Sequence, residues 1–241
     1  MRQLLLAAFA AASLSMAACA GPSNINDKAT NPAETPPPNY FPLIAGAEYK
    51  TKRYTYYFSG SESGEFTGYE LTRVIAVEQS GATATASLQT ISLNKEEKQV
   101  GSPSDFSYFL KGDGLYQTVG NAEPEKSLVW PIVDGTHVIP TTVEMDRYEF
   151  SDVSQTISSG HKIETPAGIF DNTILVTNVS TSKYLGSTPT TDSTTSHKIW
   201  LAPNVGLIKG RTDKETKFPS SSSFSSSGFE LATFSVPVTN P

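Results

Sequence analysis

Phe109-Leu-Lys-Gly-Asp-Gly-Leu115 and Trp200-Leu-Ala-Pro-Asn-Val-Gly-Leu207 are two versions of one motif: an aromatic-leucine pair, a short polar turn and a Gly-Leu restart. The motif reads as strand, turn, strand, with glycine permitting a positive φ at the restart. Two further anchors repeat in the same order. Phe41-Pro-Leu-Ile-Ala-Gly46 recurs as Trp130-Pro-Ile-Val-Asp-Gly135 at an offset of 89, and Gly81 with Leu88 recurs as Gly168 with Leu175 at an offset of 87. The first motif recurs at offsets of 91 and 92, so order and spacing are nearly kept. A self-match at a fixed period is an architectural signal. It predicts two copies of one unit, residues 41–119 and 130–211, within a single β-domain over 40–241 that closes on a strand at 229–236.

The stretches around the anchors carry strand chemistry. Apolar runs are short, rich in Val, Ile, Thr, Tyr and Phe, and bounded by Gly, Pro, Asn or Ser. Strands are expected at 49–58, 66–78, 83–93, 105–110, 115–119, 136–139, 145–150, 161–165, 169–179, 198–201, 206–211 and 229–236. No segment joins a 3.6-residue apolar period to a helix cap, so almost no helix is expected in the mature domain. The fold class is all-β: an antiparallel meander forming a curved sheet, open barrel or sandwich. Aromatic-Pro at a strand entrance loses no ladder bond, and Trp200 with Leu201 is expected to fill the core.

Two low-complexity stretches interrupt the pattern. Residues 180–196 are mostly Ser and Thr, and 220–227 are serine except for Phe224. They read as hairpin loops or protruding strand tips, either solvated connectors or a contact for a glycan or partner.

The start of the chain sets the compartment. Arg2 precedes an apolar run over residues 4–14, too short for the roughly 20 residues that span a bilayer and suited to a signal-peptide core. Met16-Ala-Ala-Cys19 follows, and Cys19 is the only cysteine of 241 residues. An ordinary cleaved signal and an uncleaved anchor are the competing readings. Met16-Ala-Ala-Cys19 resembles a bacterial lipobox. The resemblance implies a signal peptide over residues 1–18, attachment of a diacylglyceryl group with palmitate-type chains to the Cys19 thiol, cleavage that leaves Cys19 as the acylated first residue, and a membrane-anchored protein of the cell envelope. Each buried methylene contributes about 0.8 kcal/mol, so two or three acyl chains make release negligible. Ala20, where enteric bacteria use aspartate to retain lipoproteins at the inner membrane, points to the outer membrane, on its periplasmic or surface face. Residues 19–39 are rich in Pro, Asn and small polar side chains and are expected to form a disordered tether.

Charge excludes one class of partner. The chain has 18 Lys and Arg against 24 Asp and Glu; loss of Arg2 with the signal leaves 17 against 24, a net −7. Nucleic-acid binding, which rests on basic patches, is not expected. With one cysteine, an internal disulfide and a cysteine–zinc site are also excluded.

A wider resemblance rests on His161-Lys-Ile-Glu-Thr-Pro-Ala-Gly-Ile-Phe170, Ile199-Trp-Leu-Ala-Pro-Asn-Val-Gly-Leu-Ile-Lys209 and a closing Phe229-Glu-Leu-Ala232. These segments resemble a set of exported bacterial β-rich proteins sharing a TPAGxF … WxAPxxGLxK pattern, over about residues 40–236. The resemblance implies an exported β-fold and assigns no catalytic residue. Some members look like distant relatives of the curved sheet of Lol-type lipoprotein carriers, whose cavity-lining helices have no counterpart in this sequence.

Candidates for chemistry are few. His137, His161 and His197 lack the i, i+2 or i+4 spacing that puts two ligands on one face. Glu144, Asp146, Glu149 and Asp152 read as a charged edge that discourages sheet aggregation, or as a weak Ca²⁺ candidate. No nucleophile elbow, P-loop or dinucleotide fingerprint occurs. No catalytic residue, metal site or cofactor is therefore assigned. Tyr54, Tyr56 and Trp200 are the candidate ligand-binding residues; alternation places Tyr54, Tyr56 and Phe58 on one strand face and Tyr57 on the other. Three functions follow: a non-enzymatic structural or partner-binding envelope module, a carrier of a hydrophobic, lipid-like ligand, or an envelope hydrolase with an unrecognised site.

Overall fold

The computed structural model describes residues 39–57, 63–80, 83–119, 123–129, 131–141, 147–186 and 191–237. The expected signal peptide, Cys19, nearly all of the tether, Phe58, Gly81, Trp130, Glu144 and Asp146 lie outside the described residues.

The first half of the chain supplies six strands: β1 (Glu48–Tyr56), β2 (Glu65–Ser80), β3 (Thr83–Leu93), β4 (Ser104–Lys111), β5 (Gly114–Val119) and β6 (Glu125–Val129). The second half supplies β7 (Gly135–Ile139), β8 (Tyr148–Phe150), β9 (Val153–Thr165), β10 (Gly168–Tyr184), β11 (Thr191–Ala202), β12 (Gly206–Phe218) and β13 (Ser221–Ser235). All pair antiparallel in one 13-stranded sheet of order β6-β5-β4-β3-β2-β1-β13-β12-β11-β10-β9-β7, with β8 added to β10. No helix occurs among the described residues. Each half is thus a meander, and β13, the end of the second, pairs along β1, the start of the first.

By the same symmetry β6 should meet β7, and this is where the nearly closed barrel has its seam. Among the described residues no ladder joins β6 to β7; a side chain takes its place. Gln155 of β9 is fully buried, and its Oε1 accepts the Val129 N–H at 3.0 Å while its Nε2 donates to the Ser127 carbonyl at 3.2 Å. Nε2 also donates to Asn178 Oδ1 at 2.8 Å. One amide thus does for the β6 edge what a neighbouring strand would do, leaving these two backbone groups satisfied.

The strands form because their residues alternate. In β3, Ala84, Ala86, Leu88 and Thr90 turn inward while their neighbours turn out. Tyr108, Leu115, Leu128, Ile157, Ile199 and Leu201 meet them, all nearly inaccessible to solvent. Phe41, Leu43 and Ala47, ahead of β1, enter the same core. The segment is pinned at the base, where the Asn204 N–H donates to the Asn39 carbonyl at 2.6 Å and the Tyr40 hydroxyl to Asn172 O at 3.2 Å.

Two expectations change, and one pair of alternatives resolves to strand tips. Leu201 is core, but Trp200, turned to the other strand face as alternation requires of adjacent residues, is only partly buried where it packs against that core. The Ser- and Thr-rich stretches are paired strand tips: β10 with β11 reach Tyr184 and Thr191, and β12 with β13 reach Phe218 and Ser221. Strand β6 is additional to those read from sequence. Gly206 has the expected positive φ, +92°, next to Asn204 at +58°. At Gly114 the requirement is closeness: a Cβ there would stand 2.8 Å from the Leu128 carbonyl oxygen of β6.

Candidate functional site

The three aromatic residues singled out from sequence sit on one surface, the outer face of β11, β12, β13, β1 and β2. Register puts them there. Trp200 pairs with Lys209, Lys209 with Glu230 and Glu230 with Lys52, so these side chains form one row across four strands. The neighbouring row runs through Arg211, Gly228, Tyr54 and Phe66. Tyr56 lies in the row above, opposite Ser226 and Asp213.

Contacts bind the rows into a stripe. Lys209 Nζ stands 6.0 Å from the Trp200 ring centre and 2.6 Å from Glu230 Oε1. The Glu230 carboxylate in turn acts on the neighbouring Tyr54 phenol. The rings of Tyr54 and Tyr56 are 6.4 Å apart, Tyr54 and Phe66 6.3 Å, and Phe66 and Tyr69 5.0 Å, edge to face. The Arg211 guanidinium lies 4.2 Å from the Tyr56 ring centre and 2.9 Å from Asp213 Oδ1, which also accepts the Ser226 hydroxyl at 2.5 Å. Lys50, over the Tyr69 ring at 4.6 Å, ends the stripe. Rings held this way gain both area burial and cation–π attraction.

Electrostatics follow from the packing. Burial first, then the Glu230 carboxylate, hold the Tyr54 phenol above its usual pKa. The same two causes raise Tyr56, against the opposing charges of Lys209 and Arg211. Both tyrosines are therefore neutral hydrogen-bonding groups at physiological pH. Gly228 makes the arrangement possible, since a Cβ there would lie 2.7 Å from the Gly210 carbonyl oxygen and 3.1 Å from the Tyr56 ring. Periodicity does not single out Lys209, Arg211, Gly228 or Glu230; only the cross-strand register unites them. Tyr57 points away, 65 % exposed, with its hydroxyl on Glu65.

The histidines stay apart. His137, Gln155, Asn178 and His197 occupy one cross-strand row, which separates the two histidines by three strand spacings, about 14 Å. His137 Nε2 is 3.1 Å from Val133 O, and His161 Nε2 is 2.8 Å from the Ser158 hydroxyl. Asp152 accepts the Thr141 N–H at 2.9 Å, and Glu149 faces Lys183 in register. Among the described residues no three His, Cys, Asp or Glu side chains gather where an ion could be held.

His197 is buried with Nδ1 2.7 Å from the Thr212 hydroxyl, and burial pushes its pKa down from 6.5 to about 4. A base that is harder to protonate when folded gives stability that is present above the unfolded pKa and lost as pH falls toward 4. The full loss is roughly 3 kcal/mol. Glu70 works the other way, because burial raises its carboxyl despite Arg53 at 3.2 Å. The comparison to make is therefore with His197→Gln: between about pH 6.5 and 4 the native chain should lose more melting temperature than the variant. Equal losses would contradict a buried neutral imidazole.

No family model and no curated protein matches the chain. Among solved structures, it is similar to a protein of Parabacteroides distasonis provisionally described as a lipoprotein, at 15 % identity and a TM-score of 0.47 over 82 % of this chain and 99 % of that one. It is similar also to a protein of Bacteroides fragilis provisionally described as exported and of YmcC-like fold, at 13 % identity and a TM-score of 0.49 over 82 % and 99 % of the two chains. Likeness at this level carries no functional inference.

Proposed function

We propose that this chain is a lipid-anchored bacterial envelope protein acting as a non-enzymatic binding module, and that its outer-face stripe docks an envelope protein. The observation that carries the reading is the convergence of Trp200, Tyr54 and Tyr56 on one surface with Lys209, Arg211 and Glu230. Tyr, Trp and Arg are the side chains most enriched at the energetic centres of protein interfaces. The stripe straddles β1, β12 and β13, where the two halves of the sheet join, so its geometry is held by continuous ladders. The carrier reading draws less support, because alternation sets the three aromatics on the outer strand face, Trp200 partly covered against the core, and the inward positions are filled by side chains such as Tyr108, Phe41 and Leu88. Anchoring rests on Met16-Ala-Ala-Cys19, and an outer-membrane address on Ala20.

Both parts are open to measurement. Cys19→Ala should move the protein from the membrane pellet to the soluble fraction; retention in the pellet would contradict acylation as the anchor. In the anchored protein, Trp200→Ala combined with Lys209→Ala should leave fractionation unchanged while reducing the size of the detergent-extracted particle on native gels. A particle of unchanged size would count against the stripe as a docking surface.

A further inference from the structure

Above the row of Asn178 and His197 the core-facing side of the sheet continues beyond the core. Residues 180, 182 and 184 of β10, 191, 193 and 195 of β11, and 214, 216 and 218 of β12 keep the inward parity of Val176, Ile199 and Ile208. Their register is unbroken: Ser182 pairs with Ser193, Ser193 with Thr216, and Tyr184 with Thr191. This concave extension contains an open hollow of about 410 Å³. Its sides are aromatic, with Tyr148 against Tyr184 at 5.0 Å on one flank and Phe218 on the other. Its floor is hydroxylated by Ser182, Ser193 and Thr216, the last two 2.9 Å apart. Among the described residues Lys214 is the one charged residue in the lining. It takes part in none of the ion pairs among the described residues, and its neighbours Glu215 and Lys217 alternate to the other face.

The geometry points to this hollow as a binding site for a short acidic saccharide. Flanking rings offer apolar faces for the C–H sides of a pyranose, and rows of hydroxyls that both donate and accept match its hydroxyl groups. A single lysine with no carboxylate partner among the described residues supplies the complement for one carboxylate or phosphate on the sugar. Such a lining suits neither a lipid tail, which would leave the hydroxyls unpaired, nor a metal ion, which would need oxygen or nitrogen ligands in a cage. The volume falls in the range of small-ligand sites, which favour the mouths of β-barrels. This side of the sheet is opposite the aromatic stripe, so the site stands or falls independently of protein docking there. It also accounts for the Ser- and Thr-rich tips, whose concave face carries hydroxyls between its flanking rings where a packed strand would carry aliphatic side chains.

The test is to apply the detergent-extracted full chain to an array of neutral, uronic-acid-bearing and phosphate-bearing oligosaccharides. Binding to one or both acidic classes is expected, and the separate arms identify the anion. Tyr184→Ala should weaken that binding by about tenfold or more. Lys214→Gln, at an exposed position that leaves the fold intact, should abolish the preference for acidic over neutral sugars. No acidic glycan retained, binding of neutral sugars alone, or binding indifferent to both substitutions would overturn the assignment.

Discussion

Replacing Gln155 by leucine should lower the unfolding free energy by about 3 kcal/mol, although the new side chain is more apolar and nearly the same size. The reason lies in what the amide leaves behind. The Val129 N–H, the Ser127 carbonyl and Asn178 Oδ1 would all lose their Gln155 partner at a buried seam. An unmade bond of this kind costs about 1–3 kcal/mol per buried group, reduced where water enters. For a domain of this size the melting temperature should fall by roughly 6–12 °C. Gln155→Glu discriminates further. A carboxylate would face the Ser127 and Asn178 acceptors with nothing to donate, so the variant should be destabilised at neutral pH and recover partly on acidification, when its proton restores one bond. A leucine variant as stable as the native chain would mean that β6 is held by something other than this clasp.

Phe41→Ala is the second large effect, at about 4 kcal/mol. Phe41 belongs to no strand, yet it is 1 % exposed in the central cluster. Truncation would leave a cavity at the base of the barrel and loosen the contacts of Asn39 with Asn204 and of Tyr40 with Asn172. Denaturant unfolding should show a lower midpoint with an unchanged slope. A change below about 1 kcal/mol would show that the segment ahead of β1 is an appendage and not part of the core.

Much of the fold is legible in the sequence because strand chemistry is local. Residues 83–93 read as a strand and form one with those bounds, and the all-β class needs only short apolar runs and turn residues. The duplication is legible as well, although it holds at the level of strands more than of residues. Leu88 is buried, while its offset partner Leu175 is only partly covered and the adjacent Ile174 and Val176 are buried instead. Pairing Phe109-Leu110 with Trp200-Leu201 survives in full: each leucine faces in and each aromatic is partly exposed.

What sequence leaves open is which face is inside. Alternation separates Tyr54 and Tyr56 from Arg53 and Thr55 without saying which pair meets the core, because both sets combine bulk with polarity. Register decides it, by placing Thr51 with Leu231 and Tyr54 with Gly228. Gln155 is invisible for a related reason. Its worth depends on β6, and Glu125-Lys-Ser-Leu-Val129 is too short and too polar to announce itself as a strand. The saccharide hollow is prefigured only as low-complexity Ser and Thr; aromatic residues from three separate strands complete it.

The most direct measurement is photo-cross-linking in living cells, with a photoreactive phenylalanine at position 200 or 54 and a control at exposed Val138 on β7, at the far end of the sheet. One discrete envelope-protein adduct, shared by positions 200 and 54 and absent from 138, is the expected result. No adduct from either stripe position, or the same adducts from position 138, would contradict a partner-binding surface on this face.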